Sequence, residues 1–478
     1  MDRLCDKDAV ELRRLIGERA ISPVELLDDC LARIGEVNPR LNAITAMAVE
    51  RAKAEALATE RAVRDGGALG LLHGLPIGIK DLEETEGIVT TFGSPLYRNY
   101  VPKADNRLVA QVRRAGAIVV GKTNTPEFGA GAHTDNPVYG PTRNPFDPER
   151  TCGGSSGGSA VALATGMVPL ATGSDTGGSL RIPAAFCGIV GFRPSPGLVP
   201  SERRPLGWTP LSVLGPMGRN VADTRLLLRA EMGRDSRDPF GYRDDQSSFA
   251  APETIDPGRL RVAVSEDLGG APVEPSLRAT LRERVGLIAA AFRACDWRDP
   301  DMTGADEAFA AIRGQNLLAA QRERYEKHRD QLGPLVRANY EEGLGMSAAQ
   351  VAAAHVTATR IYRGLELFFA DHDLLISPTV GVPPFAIEAR YAREVAGRPM
   401  RTYYSWLAPT YYLSLTGHPA ISIPCGLEPS GTPFALQITA AAGRDKFLLD
   451  AAEAIEALLA RDPRTARPKP DLGKLVSR

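Results

Sequence analysis

Residues 153–159 read Gly153-Gly154-Ser155-Ser156-Gly157-Gly158-Ser159, and an apolar helical pattern follows them directly. A second loop of the same kind, Asp175-Thr176-Gly177-Gly178-Ser179, begins twenty residues after Ser155. A flexible linker would be repetitive and would lack the helical pattern, so both loops are predicted to be structured. Because glycine leaves backbone N–H groups unobstructed, the two loops can direct several N–H groups at one oxyanion. The alternative interpretation is a pair of tight structural turns.

Short apolar runs alternate with helical patterns on both sides of these loops. The runs typical of buried strands are Pro76–Lys80, Ala117–Gly121, Val168–Thr172, Leu260–Ser265, Asp373–Ile376, Pro419–Ile423 and Phe434–Thr439. The helical patterns are Asn106–Ala115, Ser159–Gly166, Pro275–Ala294, Asp306–Arg329, Ser347–Ala370 and Arg444–Ala460. This alternation predicts an α/β sheet.

The first 65 residues read as helices. Ser22, Pro23 and Glu25 form a capping-box signature, with serine at the N-cap, proline at the first helical position and glutamate three residues after the cap. The segment Thr45–Arg64 is rich in alanine, glutamate and arginine and is predicted to form one long surface helix.

Charge and composition exclude several classes of protein. Lysine and arginine number 57 and aspartate and glutamate 58, which gives a net charge of −1 and argues against binding to nucleic acid or a membrane surface through bulk charge. The chain has no run of about 18 apolar residues and no signal-peptide pattern. Its six cysteines form no C-x-x-C pair, so we expect reduced thiols and a cytoplasmic location.

Two motifs suggest other chemistry but lack its structural context. Residues 116–123 fit the phosphate-loop pattern, yet their middle positions are all apolar and Pro126 follows too soon for a helix, so a buried strand is the better interpretation. Residues 153–157 fit G-x-S-x-G, the nucleophile elbow of α/β-hydrolases, but the preceding residues 145–152 look like a loop rather than the strand that an elbow needs. An elbow also needs a histidine, and the candidates His328, His355, His372 and His418 are more typical of structural residues. An α/β-hydrolase-type esterase remains a minor alternative.

Lys80 closes the apolar run that begins at Pro76. A lysine at the end of a buried strand is desolvated, which lowers its pKa and lets it act as a neutral base. Taken alone, Lys80 would more often be an ordinary lysine at a strand end.

The order and spacing of three residues resemble the amidase signature family. Ser155 follows Lys80 by 75 residues, and Ser179 follows Ser155 by 24. Residues 121–128 (GKTNTPEF) and 417–424 (GHPAISIP) add to the resemblance, which extends over nearly the whole chain. It implies an α/β fold with a mixed central β-sheet flanked by α-helices on both faces. It also implies one domain over 1–478, made of N-terminal helices (1–65), a catalytic core (66–220) and the remaining sheet with the substrate pocket (221–478).

The same resemblance implies a role for each residue of a Ser–Ser–Lys triad. Ser179 is the nucleophile, Ser155 the bridging serine in a cis peptide with Gly154, and Lys80 the base. The backbone amides of Thr176, Gly177, Gly178 and Ser179 form the oxyanion hole, and Ser179 caps a helix that begins at Leu180. The chemistry requires no metal and no cofactor.

The activity implied is hydrolysis of a carboxamide to a carboxylic acid and ammonia or an amine, with a small-molecule amide as substrate and a homodimer as a possible assembly. An alternative is a member of the glutamine-amidotransferase branch of the family, which supplies ammonia to a partner. Members of that branch usually read Tyr-Gly-Arg-x-Ser-Arg after Arg-Pro-Ser, whereas here Pro196-Gly197-Leu198 follows residues 193–195, which favours a stand-alone hydrolase. The intact triad argues against an inactive binding protein on the same scaffold.

The substrate pocket is less visible in the sequence. An aromatic cluster lies at 402–412 in a chain that is only 6% aromatic, and such a cluster forms either a pocket or part of the core. The pocket residues we predict are Phe128, Gly129, Cys152, Tyr404 and Trp406. Cys152 stands where the family often has proline, and it is either a packing residue or a redox-sensitive thiol.

Overall fold

The computed structural model describes residues 3–241 and 246–476. The strands are β1 (Ile44–Met47), β2 (Pro76–Lys80), β3 (Ile118–Thr123), β4 (Leu170–Asp175), β5 (Val190–Arg193), β6 (Val213–Gly218), β7 (Arg261–Val264), β8 (Ala294–Trp297), β9 (Leu374–Pro378), β10 (Glu394–Val395), β11 (Arg398–Pro399), β12 (Ala420–Leu427) and β13 (Pro433–Thr439).

The α-helices lie before β1, between the strands and after β13. They are α1 (Ala9–Gly17), α2 (Pro23–Leu41), α3 (Val49–Arg64), α4 (Arg107–Arg114), α5 (Gly157–Ala164), α6 (Arg181–Cys187), α7 (Val221–Glu231), α8 (Pro275–Ile288), α9 (Ala305–His328), α10 (Pro334–Leu344), α11 (Ala348–Asp371), α12 (Ala408–Thr416) and α13 (Asp445–Leu459). Within the described ranges, no helix is long and apolar enough to cross a membrane.

One sheet of eleven strands runs through the molecule in the order β1-β3-β2-β4-β6-β5-β12-β13-β9-β7-β8. The pairs β2/β3, β2/β4, β7/β8 and β7/β9 are parallel, and the other neighbours, such as β4/β6 and β12/β13, are antiparallel. Helices flank the sheet, so the predicted α/β fold with a mixed central sheet is confirmed.

The parallel pairing of β2 and β4 places two chemically important residues at the same edge of the sheet. Lys80 is the last residue of β2 and Asp175 the last residue of β4, and every residue of β2 is buried. The helix α5 follows the glycine–serine loop, and both α5 and α6 are buried along nearly their whole length. The two glycine–serine loops, 153–159 and 175–179, therefore lie inside the protein rather than on its surface.

Several sequence predictions of local structure are confirmed. The Ser22 hydroxyl accepts a hydrogen bond from the Glu25 N–H, and the Glu25 carboxylate accepts one from the Ser22 N–H, which completes the capping box of α2. The run 76–80 is a strand over its predicted length. The phosphate-loop pattern at 116–123 contains the fully buried strand β3, followed by no α-helix before Gly157.

Two predicted helices are wrong at one end. The segment Thr45–Met47 belongs to β1, because it pairs with β3 at the sheet edge, and helix α3 begins only at Val49. Helix α8 ends at Ile288, and Ala294 begins β8, which pairs with β7. In both places a strand partner from elsewhere in the chain overrides the local helical pattern.

Gly158 is a point where α5 approaches β3 very closely. A β-carbon at this position would lie 2.2 Å from the backbone nitrogen of Asn124 and 2.5 Å from the carbonyl oxygen of Ala43. Both atoms belong to the backbone, so no side chain could rotate away to make room. Glycine is therefore required here for the helix to pack on the sheet.

We expect the Gly158→Ala substitution to lower the free energy of unfolding by about 3 kcal/mol, because the added methyl group forces the helix away from the sheet. The matched control is Gly286→Ala in α8, where a β-carbon would meet nothing within 4 Å. That change should raise the free energy of unfolding by about 0.5–1 kcal/mol, since alanine reduces the conformational freedom of the unfolded chain. Denaturant unfolding of both variants measures the difference, and equal stability of the two would contradict the packing argument.

Candidate active site

The amine of Lys80 lies among three serine hydroxyls. Its Nζ is 2.8 Å from Ser155 Oγ, 2.8 Å from Ser156 Oγ and 2.9 Å from Ser174 Oγ. An ammonium would donate to all three, whereas a neutral amine donates two protons and keeps one lone pair that accepts. The arrangement therefore suits both protonation states of the lysine.

Burial changes the acidity of this amine. The Lys80 side chain is completely buried, and this desolvation lowers its pKa from 10.5 to about 7, against the opposing charges of Glu83 and Asp175. A large share of the lysine is consequently neutral near neutral pH, which a proton acceptor requires.

Ser155 and Ser179 differ in how they connect to this amine. The peptide bond between Gly154 and Ser155 is cis, as the family resemblance implies, and Ser155 is only 2% exposed. The Ser179 carbonyl accepts a hydrogen bond of 3.3 Å from the Ser156 N–H, which brings the two loops together. In the described part of the chain the Ser179 hydroxyl has no hydrogen-bond partner. The proton link between Ser179 and Ser155 therefore stays a prediction.

The second loop is held by a buried ion cluster. The Asp175 carboxylate accepts hydrogen bonds of 3.0 Å from both Nε and Nη2 of Arg181 and one of 3.1 Å from Arg193, and all three side chains are completely buried. Burial acts to raise the pKa of Asp175, but the two guanidinium charges outweigh it and hold the pKa well below its usual range. Asp175 is therefore an anion, and it fixes the residues that follow it.

The same carboxylate binds the backbone of the loop directly. The Gly178 N–H donates to Asp175 Oδ1 at 2.8 Å, and the Leu180 N–H donates to Oδ2 at 3.2 Å. The prediction that Gly178 lends its amide to an oxyanion is therefore wrong for this structure, because that N–H already has an acceptor. Within the described residues, no hydrogen bond uses the N–H groups of Thr176, Gly177 or Ser179, so these three remain as candidate donors.

The helix after Ser179 also begins later than predicted. Arg181 is the first residue of α6 and Leu180 is its N-cap, with no side-chain capping bond. Ser179 therefore precedes the cap rather than forming it. The Gly177 carbonyl accepts a bond of 2.6 Å from the Thr410 hydroxyl, so α12 holds this side of the loop.

A cavity of about 200 Å³ opens beside Ser179. Of the predicted pocket residues, Phe128, Gly129 and Tyr404 line it. A β-carbon at Gly129 would lie 3.5 Å from Ser155 Oγ, so this glycine is next to the serine–lysine cluster. Other lining residues are aromatic, aliphatic or hydrogen-bonding: Phe309, Leu317, Leu407, Ser212, Arg313, Asn316, Gln321 and Tyr403.

Trp406 and Cys152 are not among the lining residues. Trp406 is 1% exposed and stacks on Phe186 at 6.2 Å between ring centroids, so it belongs to the core. Cys152 is completely buried, and burial raises the pKa of its thiol to about 12. A neutral, inaccessible thiol is a packing group, the first of the two interpretations of this cysteine, and only its predicted place in the pocket is not found.

Two partners of Lys80 and the polar side of the cavity were not predicted from the sequence. Ser156 and Ser174 each bind the lysine amine. Ser156 lies within the first glycine–serine loop and Ser174 directly precedes the second, which is the signal that could have found them. Arg313 and Asn316 come from α9, far along the chain, and nothing in the local sequence of α9 indicates that it covers the site. Among residues 3–241 and 246–476, no three histidine, cysteine, aspartate or glutamate side chains are grouped as metal ligands.

The fold and this site define an α/β enzyme with a buried lysine among serine hydroxyls. The Amidase family model matches residues 25–449, and the chain belongs to this family, the amidase signature enzymes. Its members are amide hydrolases that act on carbon–nitrogen bonds, and this protein is an enzyme of that class.

Known relatives include both hydrolases and subunits of an amidotransferase. The indoleacetamide hydrolase of Bradyrhizobium diazoefficiens is 33% identical over 467 residues, which cover 94% of this chain and 86% of that protein. A glutamyl-tRNA(Gln) amidotransferase component from Trichormus variabilis is 32% identical over 479 residues, covering 93% and 96%. The structure of a bacterial aryl acylamidase of the amidase signature family is similar with a TM-score of 0.85 and 28% identity, covering 96% of both chains.

We expect Asp175→Asn to lower the free energy of unfolding by about 3–5 kcal/mol, because two buried guanidinium groups lose their counter-charge. The matched control is Asp301→Asn, whose side chain is 63% exposed and pairs with Arg360 at the surface. That change should cost less than about 1 kcal/mol. Denaturant unfolding at neutral pH compares the two, and a small effect of Asp175→Asn would show that the cluster does not hold the loop.

Proposed function

We propose that the protein hydrolyses a small carboxamide through an acyl-enzyme on Ser179, with Ser155 and Lys80 as the proton relay. The observation that carries the proposal is the desolvated Lys80 amine 2.8 Å from the Ser155 hydroxyl, beside a cavity that Ser179 lines. A neutral amine in that position can take a proton at neutral pH without a histidine.

The first step forms a bond from Ser179 Oγ to the amide carbonyl carbon. The Ser179 proton passes to Ser155, and the Ser155 proton passes to the lone pair of Lys80, so the nucleophile is activated as it attacks. The carbonyl oxygen becomes an oxyanion, for which the free N–H groups of Thr176, Gly177 and Ser179 are the candidate donors. One such donor typically lowers the barrier by about 2.7–4 kcal/mol.

The second half releases the two products. The tetrahedral intermediate collapses, the carbon–nitrogen bond breaks, and the proton held on Lys80 returns through Ser155 to the leaving nitrogen. Water then attacks the ester on Ser179 with the same relay as base, and the carboxylic acid leaves. Ammonia or an amine is the other product, and the relay ends in its starting state.

The cavity sets the size of the acyl group. An engineered protein cavity of about 150 Å³ binds benzene, so a cavity of about 200 Å³ has room for one ring with a small substituent. Its walls present the rings of Phe128, Phe309 and Tyr404. We therefore propose that the acyl part of the substrate is a single flat ring or an aliphatic group of that size.

The relatives also include amidotransferase components, so ammonia transfer to a partner is the second candidate function. The sequence after Arg193-Pro194-Ser195 lacks the Tyr-Gly-Arg-x-Ser-Arg pattern of that branch, which favours hydrolysis by the chain alone.

The pH dependence tests Lys80. Because the pKa of this base is lowered to about 7, kcat/KM should rise about tenfold per pH unit below pH 7 and level off above it. The Lys80→Met variant keeps the chain length without a basic group, so it should lose at least about 100-fold in kcat/KM together with this titration. Amide hydrolysis followed from pH 5 to 9 measures both, and a wild-type profile without a step near neutrality would contradict the assignment.

Ser179→Ala should abolish hydrolysis of simple amides, since no other hydroxyl would attack from the same position. The matched control is Ser276→Ala, an exposed serine on α8, which should retain full activity. Ammonia or amine release from a panel of amides by the purified chain is the readout, and trapping of an acyl group by mass spectrometry locates it on Ser179. Activity in the Ser179→Ala variant would contradict the assignment of Ser179 as the nucleophile. Failure of the purified wild-type chain to hydrolyse any simple amide favours the partner-dependent alternative.

A further inference from the structure

Arg313 is a buried cation on the wall of the cavity beside Ser179. It lies on α9, is only 6% exposed, and its guanidinium carbon stands 4.4 Å from the ring centroid of Tyr404 and 5.1 Å from that of Tyr403. Its Nη2 donates to the Tyr403 hydroxyl, which also accepts a bond of 3.2 Å from Asn339. The side chain is therefore held in one position by its aromatic neighbours.

One nitrogen of this guanidinium has no hydrogen bond. Nη1 is buried, and within residues 3–241 and 246–476 it meets no acceptor at hydrogen-bond distance. The nearest carboxylate oxygen, Oε2 of Glu342, is 3.7 Å away. A buried donor without an acceptor is costly, and such groups in native proteins call for an explanation.

A second unpaired donor lies one helical turn further along α9. Asn316 also lines the cavity, its Oδ1 accepts a bond of 2.8 Å from the Thr209 hydroxyl, and its Nδ2 is buried with no partner among the described residues. Residues three apart on a helix share a face, so Arg313 and Asn316 stand side by side on the same wall. Both residues thus line one cavity that already has a proposed function, and each carries a buried N–H donor without a partner among the described residues.

We propose that Arg313 and Asn316 bind an uncharged oxygen acceptor, such as a carbonyl, at the far end of the acyl group of the substrate. This inference rests on the proposed function, since it assigns the cavity to the acyl group. The remaining walls present aromatic rings, so the substrate class is the amide of an arylacyl group that bears a carbonyl oxygen. Arg313 and Asn316 are then specificity residues rather than members of the proton relay.

The charge of Glu342 decides between an uncharged and an anionic acceptor. Its carboxylate lies 3.7 Å from Nη1 of Arg313 and accepts a hydrogen bond of 2.5 Å from the Tyr404 hydroxyl. The guanidinium therefore already has a negative charge beside it. A substrate carboxylate bound to the same nitrogen would add a second one nearby, and like charges so close disfavour each other.

Two amides that differ in one atom group test the proposal. In 4-acetylphenylacetamide and 4-isopropenylphenylacetamide, a carbonyl oxygen of the first is a CH₂ group in the second, and the shapes are nearly equal. Binding to the Ser179→Ala variant is measured by calorimetry, so it does not depend on turnover. We expect the acetyl compound to bind about tenfold or more tightly, because only it pairs the two buried donors. Equal binding, or binding of neither amide at millimolar concentration, overturns the proposal.

Variants of the two donors locate the effect. In the Ser179→Ala background, Arg313→Met and Asn316→Leu should each reduce the preference to within about threefold, while binding of the isopropenyl compound changes little. The matched control is Arg322→Met, an arginine on the same helix whose side chain is 75% exposed, and it should keep the full preference. Thermal unfolding checks that each variant folds, and Asn316→Leu gives an independent result if Arg313→Met does not. A preference that survives both substitutions overturns the assignment.

A third amide tests the charge of the acceptor, and a rate measurement separates this inference from the proposed function. The 4-carboxy analogue should bind more weakly than the acetyl compound, and tighter binding would overturn the uncharged acceptor in favour of an anion. Wild-type kcat/KM for the acetyl and isopropenyl amides should show the same preference as binding. A binding preference without any hydrolysis would support this inference and refute the proposed function. Hydrolysis of both amides at equal rates, with equal binding, would refute this inference and support the proposed function.

Discussion

The carboxylate of Asp175 is the point on which the active-site loops depend. It lies at the end of β4 and binds Arg181 on α6, Arg193 on β5 and the backbone of the glycine loop. Arg181 also donates hydrogen bonds to the Thr410 carbonyl on α12 at 2.9 Å and to the side-chain oxygen of Gln437 on β13 at 2.7 Å. One buried anion therefore joins five elements, and a buried charge holds its partners only while all of them remain in place. The loop that carries Ser179 is fixed, because its release from the Asp175 carboxylate would leave an unpaired charge in the core.

The second constraint is the exclusion of water around Lys80. The strand β2 ends in the interior, so the amine has serine hydroxyls instead of solvent as neighbours. This desolvation makes a normally cationic group a usable base, and it does so without a histidine. Contacts with α5 bury this end of β2, while α9 forms part of the wall of the cavity beside Ser179 and α12 holds the glycine loop through Thr410.

Much of the fold could be read from the sequence, since periodicity and capping are local. The strand at 76–80 and the capping box of α2 are found as predicted. The prediction was wrong where pairing with distant residues decides the outcome, as at Thr45–Met47, whose partner is β3. At the site, the motifs indicated Lys80 and Ser155, which the structure brings together. The predictions for the Gly178 amide and Trp406 do not match the structure, because their partners, the Asp175 side chain and Phe186, are set by packing.

The sequence by itself determined the family, the alternation of strands and helices that is typical of an α/β fold, and the presence of two glycine–serine loops. These are properties of neighbouring residues and of motif spacing, so they need no knowledge of contacts. Only the tertiary structure decided the acidity of Lys80, the partner of the Gly178 N–H and the polar wall of the cavity formed by Arg313 and Asn316. Desolvation and hydrogen-bond satisfaction depend on which distant residues surround a group, and folding alone brings those residues together.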